Sequence, residues 1–178
     1  MQNAETILGI IEKKSTADKH YKFDRLYRNL FNPDFYLGAY GKIYAKEGNM
    51  TKGTDNETID GFGMEKVNEV IELMKNEQYH FKPVRRVNIP KKDGSKRPLG
   101  IPSFYDKVVQ EISRSILEAI YEPRFSKSSH GFRPKRSCHT ALKQVKREWT
   151  GVKWVIEGDI KGFFDNVNHN KLMKQLWT

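Results

Sequence analysis

Basic side chains flank a short turn within residues 82–102. Lys91 and Arg97 stand on either side of Asp93-Gly94, a pair that favours the tight turn of a β-hairpin. A lysine offers a compact charge to phosphate oxygens, and an arginine offers a planar fork that binds two of them at once. The spacing therefore predicts a hairpin whose tip binds phosphates. A solvated, charged turn without a ligand is the alternative interpretation.

A second candidate for chemistry is acidic. Asp159 ends a run of β-branched and aromatic residues, 152–159, which predicts a buried strand. A carboxylate at the end of a strand can hold Mg²⁺ against a nucleotide, and nucleotidyl transfer typically uses two such ions. A turn or cap residue is the alternative for Asp159, and Glu157 is a weaker candidate. The histidines and Cys138 show no spacing typical of zinc ligands.

The net charge is concentrated in two segments. The chain has 178 residues and a formal charge of +10. Residues 82–102 hold seven basic residues and one acidic residue, and residues 124–147 hold eight basic residues and no acidic one. Blocks of like charge repel each other, so they are typical of surfaces that a polyanion neutralises. The charge favours nucleic acid as partner, with a solvated surface as the alternative.

The sequence also indicates a compartment. No apolar run approaches the roughly 20 residues that a membrane span needs, and the N-terminus lacks the pattern of a secretion signal. A single cysteine excludes an internal disulfide and is typical of a reducing compartment. We therefore expect a cytoplasmic protein without a membrane partner.

Local patterns predict the elements that must position these residues. Apolar residues recur at helical spacing over 35–44, 64–74, 108–120 and 141–149, and a last helix begins near Asn168. Between the first two helices, residues 47–63 form a long polar loop. Ser103 and Asp106 show the Ser-x-x-Asp spacing of a helix start, in which each side chain caps the other's backbone N–H. The expected fold class is α+β, a form of α/β, with a helical N-terminal part and a basic hairpin at 84–101.

Several ordered motifs together resemble the reverse transcriptases encoded by group II introns, which also serve as splicing maturases. The match runs from about residue 35 to the end of the chain. Its text is Lys82-Pro83-Val84-Arg85-Arg86-Val87, Ile89-Pro90-Lys91-Lys92-Asp93-Gly94, Arg97-Pro98-Leu99-Gly100-Ile101-Pro102-Ser103, Gly131-Phe132-Arg133-Pro134-Lys135-Arg136-Ser137 and Glu157-Gly158-Asp159-Ile160-Lys161-Gly162-Phe163-Phe164-Asp165.

The resemblance implies a right-hand polymerase and a role for each matched position. Residues 1–34 would be a helical extension, 35–150 the fingers and 151–178 the start of the palm, with the loop at 47–63 lying over the template. Asp159 would be catalytic and would hold both Mg²⁺ ions. The nucleotide would meet Lys91, Arg97, Ile160, Lys161 and Phe164, the last of which would select deoxynucleotides. Template or other RNA would meet Lys52, Arg85, Arg86, Ile101, Pro102, Arg133 and Arg136.

The sequence departs from the family in one respect. The second metal-binding pair, in a Tyr-x-Asp-Asp turn, does not occur in it, so we expect this chain alone to be inactive.

The partners implied for the parent enzyme are an RNA template or intron RNA, a DNA primer and dNTPs. A non-catalytic RNA-binding module for splicing is the alternative function, and other bacterial reverse transcriptases are alternative relatives. Exposed aromatic helices would also favour self-association of this fragment.

Overall fold

The computed structural model describes residues 2–176, except for the side chain of Asp165. The chain divides into two compact units, one ending at Arg124 and the other beginning at Phe125. The expected division into an extension (1–34), fingers (35–150) and the start of the palm (151–178) has different boundaries from these two units, and it stays a prediction.

The first unit is built from four helices and one hairpin. Asn32 caps α2 by accepting a hydrogen bond from the backbone N–H of Asp34, and Pro33 takes the first helical position, which lacks a helical partner for its nitrogen. The predicted helices over 35–44, 64–74 and 108–120 are confirmed. The helices are α1 (Ala4–Ala17), α2 (Pro33–Tyr44), α3 (Met64–Lys75) and α4 (Phe104–Tyr121), with 3₁₀ turns at Leu26–Phe31, Ile59–Gly61 and Glu122–Arg124.

Helix α4 is the centre of the first unit's core. Its residues Val108, Ile112, Ile116 and Ile120 recur every four positions and are buried along one face. That face packs against α1 and α2. Each fully buried side chain of this size stabilises the fold by about 1.5–3 kcal/mol. The core therefore fixes the position of α4, and the hairpin is joined to the N-terminal end of this helix.

The predicted hairpin is confirmed. Strands β1 (Arg85–Pro90) and β2 (Lys96–Ile101) pair antiparallel, with Arg85 opposite Ile101 and Ile89 opposite Arg97. Gly94 has a φ of +79° in the turn, a value that glycine adopts without strain. Helices together with a small antiparallel sheet confirm the expected fold class, α+β.

The start of α4 differs from the expected capping arrangement. Ser103 occupies the N-cap position, but its side chain makes no capping hydrogen bond. Its hydroxyl donates to the Oδ2 atom of Asp106 at 2.7 Å instead. The reciprocal capping box predicted here is wrong because the Asp106 carboxylate is also occupied by groups from distant parts of the chain.

The second unit has two helices, α5 (Cys138–Glu148) and α6 (His169–Leu176), and these confirm the last two predicted helices. Ser137 caps α5 in a capping box with Thr140. No residue of this unit whose burial is described is buried. The buried strand predicted at 152–159 is wrong: these residues are exposed and unpaired, and Ile156 is 98% exposed. A strand needs a neighbouring strand to bond its backbone, and residues 125–176 supply none.

Candidate nucleic-acid interface

The hairpin tip presents free cations on a turn that is closed by hydrogen bonds. The backbone N–H of Lys91 donates to the carbonyl of Ser95 at 2.7 Å, which closes the turn. Asp93, the one acid in the tip, accepts from the backbone and hydroxyl of Ser95, and these bonds lower the pKa of its carboxyl group. The side chains of Lys91 and Arg97 are exposed and have no hydrogen-bonding partner among residues 2–176. Both cations are therefore available to an anion.

The register of the hairpin sorts its predicted site residues by face. Directly opposed residues point to the same face of a sheet, and alternate residues along a strand share that face. Arg97, Ile101 and Arg85 therefore lie on one face, together with the apolar residues Val87, Ile89 and Leu99. Arg86 pairs with Gly100 and lies on the opposite face. One ligand lying along the first face would meet Arg97, Ile101 and Arg85, and would not meet Arg86.

The loop at 47–63 is tied to the base of the hairpin. Arg85 donates through Nε to the carbonyl of Lys52 at 2.9 Å. Gly53 is buried, and a Cβ at that position would come within 2.7 Å of the Ser103 backbone. Lys107, on α4, donates through Nζ to the carbonyl of Thr51 at 2.8 Å, and burial lowers the pKa of this lysine. The side chain of Lys52 itself remains exposed.

The basic residues of the second unit also hold their own loop. Arg133 donates through Nη1 to the carbonyls of Ser126 and Ser129 at 2.8 and 2.9 Å, and its guanidinium lies 5.2 Å from the ring of Phe125. Arg136 donates to the carbonyl of Lys127 at 2.6 Å. The structure thus gives both arginines a local role that their charge did not indicate. Their contact with RNA stays a prediction.

Sequence reasoning missed His130 in the same loop. One ring nitrogen lies 2.8 Å from the hydroxyl of Thr140 and the other lies 2.6 Å from Oε1 of Gln144. Both partners are on α5, so His130 joins the loop to that helix. The partners lie 10 and 14 residues further along the chain, and no local sequence pattern predicts these contacts because they depend on how the loop turns back.

The acidic candidate lies in an exposed segment of the second unit. Asp159, Ile160 and Lys161 are all exposed, and Phe164 is 86% exposed. Gly162 has a φ of +61°, and the rings of the two residues that follow it, Phe163 and Phe164, meet edge to face with their centroids 5.4 Å apart. Among the side chains that the structure describes, which do not include that of Asp165, no group of three or more His, Cys, Asp or Glu is placed to hold a metal ion. Asp159 supplies one carboxylate, and the described residues do not complete a two-ion site.

Comparison with known proteins defines the class. Residues 89–178, which include β2 and Asp159, match the family model described as reverse transcriptase (RNA-dependent DNA polymerase). The chain therefore belongs to the reverse transcriptase family.

Individual relatives narrow the resemblance and confirm the group II intron type. The chain is 51% identical over 174 residues to the group II intron-encoded protein LtrA of Lactococcus lactis subsp. cremoris, covering 97% of this chain and 29% of that protein. It is 43% identical over 178 residues to an uncharacterized 91 kDa protein in the cob intron of Schizosaccharomyces pombe, covering 97% of this chain and 22% of that protein. It is 40% identical over 75 residues to a protein of Arabidopsis thaliana named nuclear intron maturase 1, mitochondrial. That match covers 42% of this chain and 10% of that protein. The chain thus spans less than a third of these relatives.

Among the helices formed by the described part of the chain, none has the length and apolar character needed to cross a lipid bilayer.

Proposed function

We propose that this chain is the template-binding and nucleotide-binding portion of an RNA-directed DNA polymerase of the group II intron type. In that reaction the 3′-hydroxyl of a DNA primer attacks the α-phosphate of a dNTP. A new phosphodiester bond forms, the bond to the β-phosphate bridging oxygen breaks, and pyrophosphate leaves. The primer hydroxyl loses its proton in the process.

The observation that carries this proposal is the unpartnered pair of cations on the hairpin tip. Lys91 and Arg97 are exposed, and the turn that presents them is closed by its own backbone and by Asp93. A lysine and an arginine fixed in this way match the charge of a triphosphate. The family model covers this tip, which supports a nucleotide as the anion.

The same face of the hairpin suits a templating base. Ile101 lies on the face of Arg97 and follows it by four positions along β2, a separation of about 13 Å. We assign Ile101 and Pro102 to the template base and Arg85 to the nearby RNA backbone. Lys52, held beside Arg85 by its carbonyl, would face the same strand. Arg86 would contact RNA from the other face.

Asp159 and the segment that follows it would complete the nucleotide site. We assign Asp159 as the catalytic carboxylate, the backbone at Ile160 and Lys161 to the triphosphate, and the exposed ring of Phe164 to the sugar, where it would exclude a 2′-hydroxyl. A divalent ion, expected to be Mg²⁺, would neutralise phosphate charge when bound. Since the described side chains form no group of three or more metal-binding residues, the ion would need further ligands from water, phosphate oxygens or other parts of the gene product.

The test uses the full gene product that carries this chain, supplied with an RNA template, an annealed DNA primer and dNTPs. Primer extension is the expected result. Asp159→Asn removes the charge at nearly constant volume and is expected to abolish extension without changing the far-ultraviolet circular dichroism spectrum. Asp60→Asn, at an exposed carboxylate without an assigned role, is the control. Primer extension by the Asp159→Asn variant would contradict the assignment of Asp159 as the catalytic carboxylate.

RNA binding without catalysis is the second candidate function, and the surface of α5 favours it. Lys143, Lys146 and Arg147 are exposed, and the first two lie one helical turn apart. A relative is named as an intron maturase, which favours intron RNA as the partner. The second unit would then hold structured RNA whether or not polymerisation occurs.

Salt dependence separates specific phosphate contacts from general attraction. Each phosphate contact contributes about −0.7 for a single strand and about −0.9 for a duplex to the slope of log K against log salt. Replacing Lys143 and Lys146 by glutamine should therefore reduce the steepness of the slope by about 1.4 to 1.8 on structured RNA. Replacing Lys13 and Lys19, two exposed lysines of the first unit, provides the charge-matched control. Equal effects of the two double substitutions would contradict an RNA site on α5.

A further inference from the structure

Asp106 is a buried carboxylate held by neutral donors. The residue is 1% exposed and lies in the first turn of α4. Its Oδ1 accepts from the hydroxyl of Tyr79 at 2.6 Å, and its Oδ2 accepts from the hydroxyl of Ser103 at 2.7 Å and the backbone N–H of Lys82 at 3.0 Å. Among the described residues no cation forms a salt bridge with it. Burying a charge is costly unless its hydrogen bonds are complete, and here three donors surround it.

Those donors come from both ends of the hairpin. Lys82 lies three residues before β1, and Ser103 lies two residues after β2. Tyr79 belongs to the segment that leads from α3 toward Lys82. Burial and the bond to Asp106 raise the pKa of the Tyr79 hydroxyl, so it remains protonated and donates at physiological pH. One carboxylate on α4 therefore ties the chain that enters the hairpin to the chain that leaves it.

Residues 53–55 hold the same two ends from another direction. The backbone of Gly53 packs against that of Pro102 and Ser103. Thr54 donates through its hydroxyl to the carbonyl of Pro83 at 2.9 Å, and Lys82 donates through Nζ to Asp55 at 2.8 Å. The bond to Asp55 raises the pKa of Lys82. The base of the hairpin is thus clamped, while its tip projects free.

We propose that Asp106 is a positioning residue for nucleotide binding, acting through the hairpin base on Lys91 and Arg97 at the tip. This inference rests on the function proposed above. Each strand between base and tip has six residues, which makes a lever of about 20 Å. A rotation of about 5° at the base would move the tip by about 1.7 Å. A hydrogen bond of about 2.9 Å to a phosphate oxygen would then be stretched well beyond the range in which it forms. Asp106 itself, being buried, would touch no substrate.

Two substitutions at Asp106 test the geometry of the bonds. Asp106→Ala removes the acceptor of all three bonds and is expected to raise the KM for dNTP at least tenfold, with kcat changed less than threefold. Asp106→Asn should restore most of the affinity. Its amide oxygen can accept from Lys82 and Ser103 while its NH₂ group donates to the Tyr79 hydroxyl, which can also accept.

A matched pair of milder variants covers the case in which Asp106→Ala does not fold. Ser103→Ala removes one hydroxyl from the Asp106 carboxylate. Ser113→Ala, the control, removes a hydroxyl of the same helix, α4, that donates to the carbonyl of Val109 at 2.9 Å and does not contact Asp106. Ser103→Ala should raise the KM for dNTP and speed hydrogen exchange of the backbone amides of residues 85–101. Ser113→Ala should leave both quantities near those of the unsubstituted protein.

The outcomes separate this inference from the proposed function. If the unsubstituted gene product does not extend a primer on RNA, the proposed function fails. Hydrogen exchange of residues 85–101 in Ser103→Ala, compared with the unsubstituted protein, then still tests whether Asp106 holds the hairpin. If the protein extends primers and Ser103→Ala matches Ser113→Ala in both KM and exchange, the positioning role is overturned. The role is overturned equally if Asp106→Asn behaves like Asp106→Ala.

Discussion

A methyl group added at Gly53 should disrupt the base of the hairpin. An alanine Cβ there would lie 2.7 Å from the Cα and N atoms of Ser103 and 2.8 Å from the carbonyl oxygen of Pro102. Comfortable contacts between heavy atoms begin at about 3.5 Å, so the backbones must separate by about 0.7 Å or more. All three neighbours are backbone atoms, which cannot rotate away as a side chain can. Overpacking of this kind costs about 1–3 kcal/mol, and Gly53→Ala should lower the free energy of unfolding by that amount.

Gly61→Ala is the matched control for this prediction. Gly61 belongs to the same connection between α2 and α3, has open space around the added Cβ and, like Gly53, does not have a positive φ. Its substitution should be neutral or stabilise the fold by up to about 1 kcal/mol, because alanine restricts the unfolded chain. Urea denaturation followed by far-ultraviolet circular dichroism compares the two. If Gly53→Ala costs no more than Gly61→Ala, the loop does not pack on the hairpin base as described.

Three further predictions concern other contacts. Burial acts to raise the pKa of Glu111, but the hydrogen bonds and charge of Arg114 outweigh it and lower the pKa. The Glu111–Arg114 pair therefore stabilises the fold above the ordinary carboxyl pKa, and this stabilisation is lost as pH falls through the lowered value. In Glu111→Gln, the stability measured by urea midpoints should depend less steeply on pH in the acid range. Arg133→Ala removes the two hydrogen bonds that Nη1 donates to backbone carbonyls and should speed hydrogen exchange of residues 125–131, whereas unchanged exchange would contradict these bonds. Ser137→Ala removes the cap of α5 and should destabilise that helix by about 1 kcal/mol, seen as faster exchange in α5 that Ser137→Asp largely reverses.

The sequence predicted well those elements that are defined by local spacing. The helix around Val108 and Ile112 repeats its apolar residues at helical intervals, and Asp93-Gly94 identifies the hairpin turn without knowledge of the rest of the fold. The exposed position of Lys91 and Arg97 follows from the same turn. These predictions needed only neighbours within a few residues.

Contacts between distant parts of the chain were not predictable in this way. The Ser-x-x-Asp spacing predicts a local capping role for Asp106, but its partners at residues 79 and 82 reach it only because the chain after α3 returns to α4. The run at 152–159 has the composition of a buried strand, yet composition does not supply the neighbouring strand that pairing requires. Arg133 shows its charge in the sequence, while the carbonyls it binds depend on the shape of the loop.

The central claim is that the hairpin tip binds the triphosphate of the incoming nucleotide. The most direct measurement is the steady-state KM for dNTP during RNA-templated primer extension by the full gene product carrying Lys91→Gln, compared with Lys92→Gln at the adjacent exposed lysine. A charge-assisted hydrogen bond is worth about 1.5–3 kcal/mol, so Lys91→Gln should raise KM by about 10- to 100-fold. Lys92→Gln should change it less than threefold. Equal KM values for the two variants would contradict the claim.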